Sequence, residues 1–202
     1  MRNKKTFISV LLGIATILCI CFGFVGCTED GNTDKIPEGT DGKVLVAYFS
    51  CTNTTKGVAE KIAVSTGGTL YAITPAQPYT SADLNYGNRD SRSTKEQNDS
   101  SARPEISGSV QNMDGYDIVF LGYPIWWAEA PKIIYTFLES YDFEGKTIIP
   151  FCTSGGSGVG NSAKNLHGSA SKATWLDGTK LSGSASQSSI DSYVAGLGFN
   201  KE

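Results

Sequence analysis

Between residues 43 and 200 the apolar positions keep changing period, from short continuous runs to a 3.6-residue spacing and back. The first run, Val44 to Phe49, is apolar throughout, the pattern of a strand buried on both faces. It ends in a hydroxyl cluster, Ser50, Thr52, Thr54 and Thr55. Beyond it Val58, Ala59, Ile62 and Ala63 recur on one helical face as far as Gly67-Gly68. Thr69 to Thr74 predicts a short second strand, ended by Pro75 and Pro78. Tyr116 to Gly122 predicts a central strand. Pro131 to Tyr141 predicts a helix with Ile133, Ile134, Phe137 and Leu138 inward, Pro131 being tolerated in its first turn. Thr147 to Cys152 predicts another strand despite Pro150, which a bulge would accommodate. A helix over Asn161 to Leu166, a last strand or short pair over Ala173 to Leu181, and a helix over Gln187 to Leu197 complete the series. Gln77 to Val110 interrupts it. This polar stretch holds at most a short helix over Thr94 to Ser101 and is too long for a tight connection, so it is either a ligand-edge excursion or mobile.

Strands alternating with helices predict an α/β fold, an open, doubly wound parallel sheet of about five strands with helices on both faces. Ligands of such sheets sit beyond the carboxyl ends of the strands. Three unusual loops fall there, at 50–55, 123–128 and 153–158. The first combines hydroxyls with the unpaired N–H groups of a helix start, a setting for an anion, whereas Thr54 or Thr55 acting only as a helix cap is the alternative. It lacks the GxxxxGK[ST] pattern, which disfavours a nucleoside triphosphate with magnesium. The second loop offers Trp126 and Trp127 after Pro124 and Ile125. The third, Thr153, Ser154, Gly155, Gly156 and Gly158, offers backbone groups with little side chain in the way. A ligand with a phosphate at one end and a flat heteroaromatic ring at the other would use all three, and flavin mononucleotide (FMN) has that shape. Asp114 and Glu129 flank the second loop as a candidate acidic rim, and His167 has no partner nearby in sequence.

Residues 1–26 hold three charges, Arg2, Lys4 and Lys5, followed by an apolar run from Phe7 to Gly26. The run ends in Phe24-Val25-Gly26-Cys27, which resembles a bacterial lipoprotein signal whose cysteine is lipidated; a retained membrane helix and plain secretion are the alternatives. Residues 27–42 then read as a flexible membrane tether and 43–202 as the folded domain. Loss of the three basic residues leaves 14 Lys and Arg against 20 Asp and Glu, a formal charge of −6, which argues against a nucleic-acid partner. Of the five cysteines only Cys51 and Cys152 belong to the domain, so a disulfide framework is not indicated.

Four stretches, YFSCTNTTKGVAEKIA at 48–63, ARPEI at 102–106, YDIVFLGYPIWWAEAP at 116–131 and TIIPFCTSGGSG at 147–158, resemble the flavodoxin family. The resemblance is closest to the short flavodoxin-like domain of bacterial lipoproteins and spans Lys43 to Asn200. It implies a flavodoxin-like three-layer sandwich with strand order 2-1-3-4-5. It also implies FMN phosphate on Ser50, Thr52, Asn53, Thr54 and Thr55, with the ring between Pro124–Trp127 and Thr153–Gly158. Asn53 stands where the family's turn has glycine; if the backbone there needs a positive φ, asparagine is the least costly substitute. The implied function is an FMN-binding electron-transfer protein on the outer face of the cell membrane, exchanging electrons with a redox protein or a quinone. The alternatives are an FMN-dependent NAD(P)H or quinone reductase, for which a homodimer is the expected assembly to test, and a flavin-free interaction module.

Overall fold

Five successive buried residues, Val44–Tyr48, form β1, the strand on which the sheet is assembled. The computed structural model describes residues 34–37, 40 and 42–199. The signal segment, Cys27 and most of the tether lie outside the described residues. β1 pairs in parallel with β2 (Thr69–Ala72) on one side and with β5 (Ile118–Pro124) on the other. β5 pairs in parallel with β6 (Thr147–Thr153), and β6 with two short pieces, β7 (Thr174–Trp175) and β8 (Thr179–Lys180). The order β2-β1-β5-β6-β7 is the 2-1-3-4-5 arrangement implied by the family resemblance.

Side chains alternate across this sheet, and each face receives its own helices. Leu45, Ala47, Val119, Leu121 and Ile148 pack with Ile133, Ile134 and Phe137 of α3 (Lys132–Glu139). Val44, Val46, Ile118, Phe120 and Ile149 pack with Val58 and Ile62 of α1 (Thr54–Thr66) and with Ile190 and Val194 of α4 (Gln187–Gly196). α1 stops where the sequence indicated, at Gly67, whose φ of 70° closes the helix in the left-handed region. Among the described residues no helix is long and apolar enough to cross a membrane.

The structure departs from the sequence reading in four places. β2 ends at Ala72, and Thr74–Pro75 (β3) forms a separate antiparallel pair with Ile106–Ser107 (β4). The excursion's helix, α2, runs from Arg92 to Asn98, earlier than expected, because Ser91 accepts from the Thr94 N–H as its N-cap. The segment expected to be helical over Asn161 to Leu166 becomes a 3₁₀ helix at Lys164–Ala170, with Leu166 N–H donating three residues back to Ala163. Pro150 needs no bulge, since its register opposite Leu121 is continuous. On its other side the neighbour changes from β7, which accompanies β6 as far as Ile148, to β8, which starts at Phe151. The missing N–H therefore faces a break where no ladder bond is lost.

Gly122 lies opposite Phe151 in the β5–β6 register, and a Cβ on it would meet the Phe151 ring at 2.2 Å. Both are fully enclosed strand positions, so the ring has nowhere to retreat. Gly122→Ala is expected to destabilise the fold by about 1–3 kcal/mol through overpacking. Urea denaturation should show this as a lower midpoint at unchanged slope.

Candidate functional site

The chain leaves β1 at Tyr48 and enters α1 at Thr54 through a turn that only an unusual backbone allows. Asn53, the residue before the helix, has φ 62° and ψ 1°, and its side chain makes no capping bond. The left-handed conformation is the one that glycine takes without strain and asparagine tolerates best. Neither Thr54 nor Thr55 caps the helix. Thr54 Oγ1 lies 3.2 Å from Thr52 Oγ1, and Thr55 Oγ1 makes a buried 2.9 Å bond with Thr153 Oγ1 that ties the first loop to the third. The first-turn N–H groups of α1 therefore keep no side-chain acceptor, and no carboxylate stands in that turn. In the same turn the Ser50 hydroxyl is buried with no hydrogen-bond partner.

The second loop closes as a tight hairpin. Trp126 and Glu129 exchange backbone hydrogen bonds of 2.9 Å each, and the two residues between them, Trp127 and Ala128, have φ of 48° and 63°. Positive φ at both central residues separates the tryptophans, so the neighbours in sequence do not share a role. Trp126 turns inward, 4% exposed, in T-shaped contact with Phe49 and Tyr79 at centroid distances of 5.5 and 5.3 Å. Trp127 turns outward, 37% exposed, and lies against the Tyr86 ring at 4.5 Å.

The first part of the 77–110 excursion is packed at this edge, whereas Arg103 and Val110 bond to Glu139 and Tyr141 at the far end of α3. Arg92 lies 4.0 Å over the Tyr79 ring and donates from Nε to Glu96 Oε1 at 2.7 Å, while the Tyr79 hydroxyl donates to Glu96 Oε2. Gln97 Nε2 donates to the carbonyls of Trp126 at 2.9 Å and Ala130 at 3.3 Å, fastening the excursion to the aromatic hairpin. Burial, with the Glu96 bond, holds the Tyr79 phenol far above its usual range. Burial also pushes the Cys51 thiol up to about 11, with Arg92 pulling weakly the other way.

These elements enclose a cavity of about 320 Å³ at the carboxyl ends of β1, β5 and β6, near the lower bound for small-molecule sites. Of the residues singled out in sequence, Ser50, Thr52, Thr54, Pro124, Ile125, Trp126, Thr153, Ser154 and Gly155 line it. Asn53, Thr55, Trp127, Gly156 and Gly158 do not. Asn53 is committed to the turn, Thr55 to the bond with Thr153, and Trp127 to the outer stack. A Cβ at Gly155, Gly156 or Gly158 would touch nothing within 4 Å, so the chain's own packing does not require these glycines. A larger, open cavity of about 500 Å³ borders Lys43, Thr66, Asn112 and Tyr116 at the amino ends of the strands, away from all three loops.

Cys51, Leu84 and Tyr86 complete the wall. Leu84 and Tyr86 come from the excursion, where only an aromatic residue between Asn85 and Gly87 hinted at a role. No side chain in the wall carries a formal charge at neutral pH, so an anion there would be met by hydroxyls and helix N–H groups alone. Asp114 is no part of any acidic rim; it lies in the 3₁₀ turn Met113–Gly115 that precedes β5, at the opposite end of the strand. Glu129 is at the loop, with Oε1 accepting from Asn165 at 2.8 Å. His167 stacks on Trp175 at 4.6 Å, burial lowers its pKa, and it does not line the cavity.

Asn53→Ala should cost about 1 kcal/mol of stability by forcing a β-carbon residue without polar tolerance into the left-handed region, whereas Asn53→Gly should be neutral or stabilising. Thermal unfolding of the two variants checks this. Cys51 should alkylate roughly a hundredfold more slowly at neutral pH than a free thiol, because its thiolate fraction is smaller by about that factor. A time course with iodoacetamide against a free-cysteine peptide measures it.

Comparison with known proteins follows the same lines. A profile described as Flavodoxin matches residues 43–197. A crystal structure from Bacteroides eggerthii, provisionally described as a flavoprotein, is 47% identical, with TM-score 0.74, over 79% of this chain and 100% of that one. A second, from Bacteroides uniformis with the same description, is 44% identical, with TM-score 0.73, over 76% of this chain and 98% of that one. A flavoprotein from Lactobacillus acidophilus, solved in complex with FMN, shares the fold at TM-score 0.58 and 22% identity, over 75% of this chain and 98% of that one. Comparison with curated proteins returns no match. With three-quarters of its length matched by one family profile and its sheet in the corresponding order, the chain belongs to the flavodoxin family.

Proposed function

We propose that this protein binds FMN in the cavity at residues 50–54, 124–126 and 153–155 and works as an electron-transfer protein. The observation that carries the reading is the Ser50 hydroxyl, buried without a partner in the same cavity wall as Thr54, the first residue of the uncapped α1. A buried donor left unpaired costs about 1–3 kcal/mol, and a bound phosphate would remove that cost. Membership of the flavodoxin family supports the identity of the cofactor, as does the FMN carried by the Lactobacillus acidophilus protein of the same fold.

The residues present fit the group. Ser50, Thr52 and Thr54, with the first N–H groups of α1, would hold the phosphate; Pro124 to Trp126 and Thr153 to Gly155 would border the ring. The cofactor supplies the capacity to take up and release electrons, and the protein supplies binding, orientation and electrostatics. Trp126 and Ile125 keep water from that side of the cavity. The Arg92–Glu96 pair behind Tyr79 is balanced in charge and closed on itself, so it places no net charge against the ring. A wall without charged side chains disfavours extra negative charge on whatever it holds, the tuning suited to a low-potential carrier.

We further propose that the mature protein begins at a lipidated Cys27 and is held at the outer face of the membrane, as in the lipoprotein branch of the family. The apolar run before Cys27 and the small residue preceding it support this reading.

Titration of FMN into the purified protein should give saturable one-to-one quenching of flavin fluorescence. Ser50→Ala should weaken binding roughly ten- to a hundredfold, the value of a hydrogen bond to a charged group. Because no charged side chain lines the wall, the affinity should change little with salt. A folded protein that leaves flavin fluorescence unchanged would refute the assignment.

A further inference from the structure

An exposed threonine ordinarily exchanges among its staggered rotamers, at a cost in order whenever a ligand needs one of them. Thr54 is exposed, yet one neighbour restricts it. Its methyl carbon, Cγ2, lies against Gly183, so close that a Cβ added to Gly183 would approach it to 2.3 Å. Its hydroxyl then lies 3.2 Å from Thr52 Oγ1, and both threonines line the cavity.

Gly183 is itself held from both sides. Leu181 N–H donates to Cys152 O at 2.9 Å, continuing the pairing of β8 with β6. Ala185 N–H donates to Ser182 O at 3.0 Å, which closes a turn around Gly183 and Ser184. Leu181 and Ala185 pack against the cluster that contains Val58 and Ile190. Gln187, the first residue of α4, donates from Nε2 to Lys61 O of α1 at 3.0 Å and so fastens the two helices together. The φ of Gly183 lies outside the left-handed region, so the backbone does not demand glycine there. The close approach of Thr54 does.

Chirality turns this contact into a choice of rotamer. The hydroxyl, methyl and hydrogen on a threonine Cβ follow one fixed cyclic order. Only the observed rotamer combines the methyl at Gly183 with the hydroxyl at Thr52. A rotation of about 120° one way puts hydrogen at Gly183 and the methyl at Thr52. The opposite rotation puts the hydroxyl at Gly183 and hydrogen at Thr52. Either change takes the hydroxyl away from its neighbour in the wall.

We propose that Gly183 is a positioning residue for the phosphate: the room it leaves for the Thr54 methyl presets the Thr54 hydroxyl before any ligand arrives. The inference rests on the FMN reading above, in which Thr54 is one of the phosphate's partners. A donor already in place has no rotamer freedom left to lose on binding, and this favours affinity. Gly183 does not line the cavity, so it acts through Thr54 and not by touching the ligand.

The test separates phosphate from ring by comparing FMN with riboflavin, which carries the ring and no phosphate. Gly183→Ala should weaken FMN binding roughly ten- to a hundredfold, the value of one hydrogen bond to a charged group, and leave riboflavin binding within about twofold. Added to Thr54→Ser, which has no methyl to displace, the same substitution should change FMN affinity by less than about threefold. Equal losses for both flavins, no loss for FMN, or an undiminished loss on the Thr54→Ser background each overturn the proposal. A second measurement needs no substitution. In the ligand-free protein, three-bond couplings from the Thr54 methyl carbon to its backbone nitrogen and carbonyl carbon should report a single χ1 rotamer. Averaged couplings overturn the proposal, whether or not the Gly183→Ala variant folds. A folded, unaltered protein that takes up no FMN instead removes the cofactor reading, and this proposal with it.

Discussion

The site depends on one backbone angle. Asn53 must sit at φ 62° for the chain to leave a fully buried strand and begin a helix within a few residues. If it did not, the first-turn N–H groups of α1 would be aimed elsewhere and Ser50 would have no reason to be buried unpaired. The cost of that angle is about 1 kcal/mol for an ordinary residue and less for asparagine, whose short polar side chain is compatible with it. Asparagine thus meets a backbone demand that glycine would also meet. The Thr55–Thr153 bond then carries the constraint across the sheet, because it joins the turn to the loop that follows β6.

Trp127 and Ala128 repeat the same device on the opposite wall. Two consecutive non-glycine residues at positive φ are uncommon and costly, and they persist only where neighbouring structure over-determines them. Here that structure is the hydrogen-bonded pair Trp126–Glu129 and the Gln97 amide that grips the hairpin from the excursion. The strain separates two adjacent tryptophans, one as wall and one as rim. Residues 84–97 of the excursion are therefore part of the site: Gln97 braces the hairpin, and Leu84 and Tyr86 join the wall.

Much of this was legible in the sequence because burial on both faces of a parallel strand leaves a continuous apolar run, as in Val44–Tyr48 and Ile118–Leu121. The inward faces of α1, α3 and α4 were legible for the same reason, from 3.6-residue spacing. The three loops could be placed at one edge because a parallel sheet puts every strand-to-helix turn there. The elements that escaped were those fixed by tertiary partners. Lys164–Ala170 is too short and too rich in small residues for its period to separate α from 3₁₀. Pro150 was an apparent objection only because sequence cannot show a neighbouring strand that stops and restarts. Within the site, the type of residue announced the loop but not which side chain would face inward; Thr55 and Trp127 were drawn away by Thr153 and Tyr86, partners distant in sequence.

A cavity built without charged side chains carries a consequence for selectivity. A lysine or arginine in the wall would attract any phosphate, and the attraction would fall with salt. Hydroxyls and helix N–H groups instead need the anion at hydrogen-bonding distance and in a given direction, so they reward shape over charge. The remainder of the cavity, lined by Leu84, Tyr86, Pro124, Ile125 and Trp126, imposes a second shape requirement, and Pro124 is held at a fixed distance from the first because β5 is the neighbour of β1. A free phosphate satisfies one requirement and a planar ring alone satisfies the other. Only a molecule that carries both at the right separation would gain from each, so a wall without charged side chains on an acidic protein would still distinguish an anionic ligand by shape.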